Sequence, residues 1–327
     1  MKIAITGGSG HLGTVLIPKL AALGHEIRVL VYNNQRVVTD IPLEEVPGDT
    51  TQIADVERLI EGVDVVIHLA ALIGIYGDRN GLVQKINVGG TKNVVDTCIA
   101  KKVKKLIHVS SIHAYKPYPH EEVLDETRAY IEKDGYAYDF SKATAQQYVL
   151  DAAKNRGLDA VVLNPSGIMG PNDYLKSPRF DVLYKFYAGL MPMVPPGGFN
   201  WVDNRDVADT IIAAIEHGRK GEAYIVAGEF FTNKQLSTTI GKVLNKKTTQ
   251  IGIPYALLHF ASYFLEAWAD LTKTEPLFSR QSIAYLVEGH PNVSSQKAAK
   301  ELGHKCRPLE ETLKDAYAWM KAENFIK

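Results

Sequence analysis

Tyr138 and Lys142 stand four residues apart in the run Tyr138-Asp139-Phe140-Ser141-Lys142. On a helix, that spacing puts a phenol and an ammonium on one face. A phenol with an ordinary pKa of about 10 is a poor acid–base group at neutral pH. A neighbouring cation favours the phenolate and brings it towards a useful range. Alone, the Tyr-x-x-x-Lys spacing fits two surface residues of any helix just as well. Ser110 and Ser111 add to it, because they close the apolar run from Lys105 to Ser110 (KLIHVS), and that run precedes the Tyr138–Lys142 helix in the alternating order. A hydroxyl at a strand's end can donate a hydrogen bond to a carbonyl oxygen as charge develops on it. These residues suit proton transfer at a carbonyl or alcohol oxygen.

A second chemical signal opens the chain. Lys2 to Thr6 form a short apolar run, followed by Gly7, Gly8, Gly10 and Gly13 and by a helical pattern from near His11. A strand that turns sharply into a helix, with glycine at the turn, brings backbone N–H groups close to a pyrophosphate. The spacing Gly7, Gly10, Gly13 is GxxGxxG rather than GxGxxG. Its place between a first strand and a first helix predicts a dinucleotide site. The residue that reads the adenosine ribose lies about twenty residues on, at the end of the second strand. There, Val31-Tyr32-Asn33-Asn34-Gln35-Arg36 holds no carboxylate. Arg36 suits a 2′-phosphate, so the expected cofactor is NADP, with NAD as the alternative.

Both signals need a scaffold, and the hydrophobic pattern supplies one. Strand-like runs at Glu26 to Tyr32, around Val46, Asp64 to Leu69, Lys105 to Ser110 and Asp159 to Leu163 alternate with helical patterns from the glycine turn to Leu23, and at 52–60, 82–101 and 138–155. Nearly continuous apolar strands between helices imply a parallel sheet covered on both faces. The expected fold is α/β, a doubly wound parallel sheet of the Rossmann type. From about Pro165 the punctuation changes, with Pro171, Pro178, Pro192, Pro195, Pro196, Gly197 and Gly198 in a loop-rich stretch. Helical patterns then dominate at 206–215, 234–244, 255–271 and 308–322, with one further strand at 223–227. The expected division is a nucleotide-binding domain over 1–165 and a smaller, mostly helical substrate lobe over 166–327. That lobe is interleaved with the last sheet strands and sits over the sheet's C-terminal edge, where open α/β sheets bind ligands.

Composition narrows the partners. The 327 residues are 46% hydrophobic and 23% charged, with 37 basic and 37 acidic side chains. A balanced chain has no overall field for nucleic acid or an anionic membrane, so neither is an expected partner. Cys98 and Cys306 lie far apart and form no ligand pair, as expected of thiols in a reducing compartment. The opening apolar run breaks at Gly7, which does not read as a signal peptide. The longest apolar stretch, Tyr255 to Leu271, contains His259, Glu266 and Asp270 and reads as an amphipathic helix. The expected location is cytoplasmic. His11, His68 and His108 are not spaced as a metal set, and no metal is expected.

With these residues in view, the chain resembles the extended short-chain dehydrogenase/reductases, also described as the NAD-dependent epimerase/dehydratase family. The matching stretches, in the family's order, are TGGSGHLG (6–13), GDTT (48–51), DVVIHLAA (64–71), NVGGTKNVV (87–95), HVSSIHAY (108–115), YDFSK (138–142), NPSGIMGP (164–171) and VDNRDVADTI (202–211). The resemblance implies a hydride-transfer enzyme in which Tyr138 is the acid–base group, Lys142 holds the nicotinamide ribose and tunes Tyr138, and Ser111 positions the substrate oxygen. Ser111 is preferred to Ser110 because it sits four before Tyr115, as the family's Ser/Thr does. By the same resemblance, Gly7, Gly10, His11, Leu12 and Gly13 wrap the pyrophosphate, and Asp49 and Thr50 lie near adenine. Leu69, Ala70 and Ala71 line the cofactor channel, Asn87 supports it, and Pro165, Ser166 and Ile168 approach the nicotinamide. A homodimer through the helices at 82–101 and 138–155 is possible by analogy.

Within the family, GGFNWVDNRDVAD (197–209) lacks the Arg-Asp that sugar-nucleotide epimerases and dehydratases carry before the position of Trp201. The tail, from EAYIVAGEFFT (222–232) to KAAKELGHKCRPLEETLKDAYAWM (297–320), looks more like dihydroflavonol reductase-like and 3β-hydroxysteroid dehydrogenase-like members. Those act on a carbonyl or alcohol of small, often apolar molecules. The expected activity is therefore NAD(P)(H)-dependent oxidoreduction. A sugar-nucleotide epimerase with recycled NAD is the alternative, and a non-catalytic nucleotide sensor a second one. A substrate wall is expected from Ile73, His113, Met169, Tyr174 and Trp201, where aromatic and apolar side chains can line a pocket.

Overall fold

The computed structural model describes residues 1–33, 35, 37, 39–74, 77–272, 280–287 and 289–327, apart from the side chains at 265–270, 280, 282 and 286. Among these residues the strands are β1 (Lys2–Thr6), β2 (Glu26–Val31), β3 (Glu44–Pro47), β4 (Val65–His68), β5 (Lys105–Val109), β6 (Ala160–Pro165), β7 (Gly167–Met169), β8 (Gly198–Asp203), β9 (Ala223–Val226) and β10 (Glu229–Thr232). The helices are α1 (Gly13–Ala22), α2 (Ile53–Ile60), α3 (Leu82–Gln84), α4 (Thr91–Ala100), α5 (Ala137–Asn155), α6 (Pro178–Tyr187), α7 (Asn204–His217), α8 (Asn233–Leu244), α9 (Tyr255–Thr272), α10 (Arg280–Val287), α11 (Gln296–Leu302) and α12 (Leu309–Ala322).

Seven strands form one parallel sheet in the order β3-β2-β1-β4-β5-β6-β9. Successive side chains point to opposite faces, so each strand feeds two cores. Ile3, Ile5, Val65, Ile67, Ile107, Val161 and Leu163 pack with Leu16 and Leu20 of α1, Val207 and Ile211 of α7, and Ala298 of α11. Ala4, Val66, Leu106, Ala160 and Val162 pack with Leu59 of α2, Val94 and Cys98 of α4, and Val149 of α5. Burying each large aliphatic contributes about 1.5–3 kcal/mol, whereas an exposed ion pair such as Lys19–Asp209 contributes about 0–1 kcal/mol. The two apolar layers therefore hold the sandwich, and this is the doubly wound Rossmann-type fold expected from the alternation.

Three features differ from the sequence expectation. The 82–101 helix is interrupted by a π-helical segment, Lys85–Gly90, between α3 and α4. One residue more per turn there shifts the register, and Asn87 ends up buried. The lobe is also less purely helical than expected, because β10, β8 and β7 make a second, three-stranded sheet. These strands are three to six residues long and bounded by glycine and proline, too short for an alternation to show. Finally, α6 lies inside the stretch expected to be loop-rich. Its start is built from Ser177, whose hydroxyl accepts from the Arg179 N–H at 3.2 Å, and from Pro178 at its first position. Phe180, Leu183 and Phe186 of α6 then meet Leu236 and Ile240 of α8 and Leu313 and Met320 of α12 in a third core. No described helix is long and apolar enough to cross a membrane.

Two histidines at the sheet's C-terminal edge make the fold acid-sensitive. His68 is buried, with Nδ1 2.6 Å from Thr6 Oγ1 and Nε2 3.0 Å from Thr91 Oγ1. His108 lies 5.3 Å away, ring to ring, and neither of its nitrogens has a hydrogen-bond partner among the described residues. Burial holds His68 at a pKa of about 3 and His108 well below its ordinary value. Both are lower in the folded than in the unfolded chain. Their contribution is thus complete above about pH 6.5 and is lost as pH falls towards about 3. His108→Leu should lessen the stability lost between pH 7 and pH 4, read from urea midpoints over a pH series. An unchanged pH slope in the variant would show that His108 already takes up a proton in the folded state.

Candidate active site

The strand order places the switch point between β1 and β4, since the chain runs outward from β1 through β2 on one side and from β4 through β5 on the other. Ligands of such sheets bind beyond the carboxyl ends of the strands at that point. The glycine turn sits there and closes on itself. Gly10 N donates to Gly7 O at 3.1 Å and Thr14 N to Gly10 O at 3.0 Å. Gly7 has φ +74°, and a Cβ on it would lie 2.7 Å from Ala70 N; a Cβ on Gly13 would lie 2.3 Å from Gly8 O. Only glycine lets β1, the turn and the start of α1 approach so closely. Gly13→Ala should therefore force the turn open and weaken NADPH binding by about tenfold or more, as overpacking of 1–3 kcal/mol would. Fluorescence titration checks this, and an unchanged Kd would remove the turn from the nucleotide site.

The hydroxyl, phenol and ammonium come from β5 and α5. Ser111 follows the end of β5 and is buried. Its Oγ accepts from His113 N at 3.2 Å and lies within hydrogen-bonding reach of the Tyr138 phenol. Ser110 Oγ is buried with no partner among the described residues. Tyr138, in the first turn of α5, is 9% exposed. Burial pushes its phenol up to about 12, against the lowering influence of Arg179 and of the Ser111 bond. Lys142, one turn on, is 4% exposed. Its Nζ donates to Val109 O at 3.1 Å, and burial brings it down to about 8. Arg179, from a distant helix, also acts on the Tyr138 phenol.

A buried polar network sets these groups in place. Asn164 Nδ2, on β6, donates to Ser111 O at 2.8 Å and to Gln146 Oε1 at 2.6 Å, and Gln146 Nε2 donates to Tyr115 OH at 3.0 Å. Strand β6, the Ser111 segment and α5 are thereby locked together. Asn87 is a second clamp. Its side chain accepts from Leu72 N at 2.7 Å and donates to Leu72 O at 3.0 Å and Ser141 Oγ at 2.9 Å. It joins the loop after β4 to α5.

The C-terminal segment closes one side. Tyr285 OH donates to Asp139 Oδ1 at 2.6 Å, and Gln281 Nε2 donates to Gly74 O at 2.9 Å, so α10 is tied to the residue after Tyr138 and to the loop beyond β4. His113 sits between them, 4.7 Å from the Tyr285 ring and 6.0 Å from Tyr138, with its Nδ1 3.4 Å from Asp139 Oδ1. Sequence reasoning missed Arg179, Gln281 and Tyr285. No spacing links them to Tyr138. The only usable signal was the Ser177-Pro178 helix start, which would have put Arg179 on α6.

The other expected residues are distributed as follows. Leu12 is buried in the core beside α1, and His11 Nε2 lies 3.2 Å from Gly170 O and 3.0 Å from Pro171 O, bridging the glycine turn to the loop after β7. Asn33, at φ +47°, is exposed just past β2, and Arg36 lies outside the described residues. Asp49 Oδ1 accepts from Thr51 N at 2.8 Å, and Thr50 is buried, its carbonyl accepting from Asn93 Nδ2 at 2.9 Å. Leu69 and Ala70 continue from β4 along Thr6, and Ala71 is exposed. Pro165 ends β6, Ser166 Oγ accepts from Gly228 N at 3.3 Å, and Ile168 packs on the core. Of the expected substrate wall, His113 faces Tyr138, Ile73 is exposed, and Met169 lines a narrow pocket with Arg179. Tyr174 instead stacks edge-on against Trp319 and donates to Glu323 Oε1 at 3.1 Å, while Trp201 packs in the lobe core.

Comparison with known proteins agrees with this geometry. Residues 3–227 match the family model described as the NAD dependent epimerase/dehydratase family. Over all of both chains the sequence is 28% identical to sterol demethylase protein B of Methylococcus capsulatus. It is 27% identical to a putative dihydroflavonol 4-reductase of Synechocystis, covering 99% of this chain and 95% of that one. The crystal structure of gox2253 superposes with a TM-score of 0.86 at 28% identity, covering 100% and 99% of the two chains.

Proposed function

The chain belongs to the NAD dependent epimerase/dehydratase family and is an NAD(P)-dependent oxidoreductase of the extended short-chain dehydrogenase/reductase type; within it, we propose that it interconverts a carbonyl and a secondary alcohol on a small, mostly apolar molecule. The observation that supports this reading most is that Ser111, after β5, and Tyr138 and Lys142, on α5, are buried together at the sheet's C-terminal edge, with the Ser111 hydroxyl acting on the Tyr138 phenol. The tight glycine turn fits a dinucleotide, because the backbone leaves no room for a Cβ at Gly7 or Gly13 and the turn lies at the switch point between β1 and β4. Gly7 to Gly13 would hold the diphosphate, Asp49 and Thr50 the adenine side, Leu69 to Ala71 the channel and Lys142 the nicotinamide ribose. When bound, the nicotinamide supplies or takes up the hydride.

The chain's own residues handle the proton. In reduction, Tyr138 OH gives its proton to the substrate oxygen as that oxygen gains charge, while the Ser111 hydroxyl donates a hydrogen bond to the same atom. In oxidation the phenolate takes the proton back. The test is the near-ultraviolet absorbance of reduced nicotinamide against a panel of aldehydes, ketones and steroid ketones. Net consumption supports the reading. Tightly bound NAD with no net absorbance change on any substrate, but interconversion of sugar-nucleotide epimers, would replace it with the epimerase reading.

For the cofactor we propose NADP, on the absence of a carboxylate at the end of β2 and the presence of Arg36. Arg36→Ala should raise the Kd for NADPH by about tenfold or more and leave that for NADH nearly unchanged, since only the former has a 2′-phosphate to pair. Equal effects in parallel titrations would leave NAD as the preferred cofactor.

A further inference from the structure

We propose that the outer face of the lobe, formed by the loop at 190–194, the segment at 249–253 and the first half of α9, docks on the surface of an anionic lipid bilayer. The three pieces are joined. Val194 N donates to Ile251 O at 2.8 Å, Ile253 N to Val194 O at 3.0 Å and Thr249 Oγ1 to Pro192 O at 2.9 Å. The loop therefore lies along the segment that leads through Pro254 into α9. On these pieces Leu190, Met193, Ile251, Leu257, Phe260 and Phe264 are all exposed, from 43% for Met193 to 65% for Ile251. Leu257, Phe260 and Phe264 follow the i, i+3, i+7 spacing of one helix face, while Leu258 and Ser262, on the other side, are buried. Single exposed apolar residues are ordinary, but large ones grouped on adjoining segments mark an interaction surface.

Charge selects the occupant. From Val182 to Val202 and from Asn233 to Leu265 the chain carries Lys185, Lys234, Lys242, Lys246 and Lys247 and no Asp or Glu, although acidic and basic residues are equal in number over the whole sequence. Lys185 and Lys242 are paired with Asp181 and Glu310. Lys246 and Lys247 are exposed in the turn after α8. Lys246 Nζ lies 4.1 Å from the centre of the Tyr187 ring and donates to Tyr187 O at 3.3 Å, at the base of the 190–194 loop. The overall charge balance thus hides a face that is apolar at its centre and cationic beside it. A second copy packed on this face about a two-fold axis would set like charges against each other. An anionic bilayer complements both features, taking the apolar side chains into the headgroup–acyl boundary and the ammonium groups onto phosphates. No described helix can cross a membrane, so α9 lies in the plane of the surface. Through its contact with α10, which is tied to Asp139 and Gly74, the docked face lies one helix away from the candidate active site.

Flotation of the intact protein tests this, with vesicles of phosphatidylcholine alone and of phosphatidylcholine with about a third phosphatidylglycerol. The wild type should bind the mixed vesicles about tenfold or more tightly than the neutral ones. Lys246→Gln combined with Lys247→Gln should bring the two affinities to within about twofold. Phe260→Ser combined with Phe264→Ser should weaken binding to the mixed vesicles by about tenfold or more, because two rings no longer enter the boundary. All four side chains are exposed, so Tm should not fall in either pair, which separates lost docking from lost fold. Phe260→Trp gives a readout that gains a signal: the emission it adds to that of the wild type should shift to the blue with mixed vesicles. Failure of the wild type to float with mixed vesicles overturns the proposal. So does flotation that survives the double serine change, since charge alone would then hold the protein. A concentration-dependent dimer that the double serine change abolishes, with no flotation, also overturns it and assigns the face to a second copy. None of these readouts involves nicotinamide or turnover, so the outcome is independent of the reading of Tyr138.

Discussion

Tyr138→Phe should lower kcat by about a hundred- to ten-thousand-fold, the range for removing a positioned acid–base group, while leaving the NADPH Kd within about twofold. The change deletes one oxygen. The ring is 9% exposed and meets His113 edge-on at 6.0 Å, and these contacts do not involve the hydroxyl. The fold and the nucleotide site are thus kept, and the proton is removed. At a pKa of about 12 the phenol is protonated across the neutral range in the free protein, so it is set to donate. Reduction should therefore be insensitive to pH near neutrality. Oxidation, which needs the phenolate, should speed up as pH rises. Single-turnover kinetics in both directions would check this, and a Phe variant with full activity would sink the assignment.

Lys142→Met should move two readouts in opposite directions. Turnover should drop by about a hundred-fold or more, because a cation that stabilises the phenolate and holds the ribose is gone. Stability should rise. The ammonium is 4% exposed, makes one hydrogen bond, to Val109 O, and titrates at about 8 instead of its ordinary 10.5. Its folded pKa is below its unfolded one, so its contribution turns unfavourable as pH falls from about 10.5 to 8 and stays so below. At pH 7 relief of that penalty is on the order of 2–3 kcal/mol, and loss of the Val109 bond offsets about 1 kcal/mol. A net gain of about 1–2 kcal/mol is expected in urea unfolding at pH 7, vanishing above about pH 10.5. A variant with full activity would show that Lys142 is not used in the reaction, and one no more stable than the wild type at pH 7 would show that it is not buried as an ammonium.

The two variants together separate chemistry from scaffolding in a region where much of the fold could be read in advance. The alternation of apolar runs and helical patterns specified the seven-stranded sheet because each strand is buried on both faces and carries its own signature. The small sheet of β7, β8 and β10 left none, being short and punctuated by glycine and proline. Asn87 was legible as a polar residue near the site, but its clamp on Leu72 and Ser141 depends on the π segment, a register shift with no mark in residue type. Trp201 packs against the lobe core and Tyr174 meets Trp319 edge-on, contacts that no spacing in the sequence marks.

By itself the sequence determined the chemistry that local spacing can carry. Four residues on a helix put Tyr138 and Lys142 on one face, and Gly7, Gly10 and Gly13 specify a turn through backbone geometry that no other residue reproduces. Only the tertiary structure decided what packs around Tyr138 and Ser111. Arg179 arrives from α6, Tyr285 and Gln281 from α10, and Asn164 from β6, each from a segment far along the chain whose approach is set by packing of apolar cores rather than by any neighbouring residue. Spacing fixes groups that share an element, while the meeting of distant elements follows from which apolar faces bury each other. The surroundings of Tyr138 and Ser111 are built largely from such meetings.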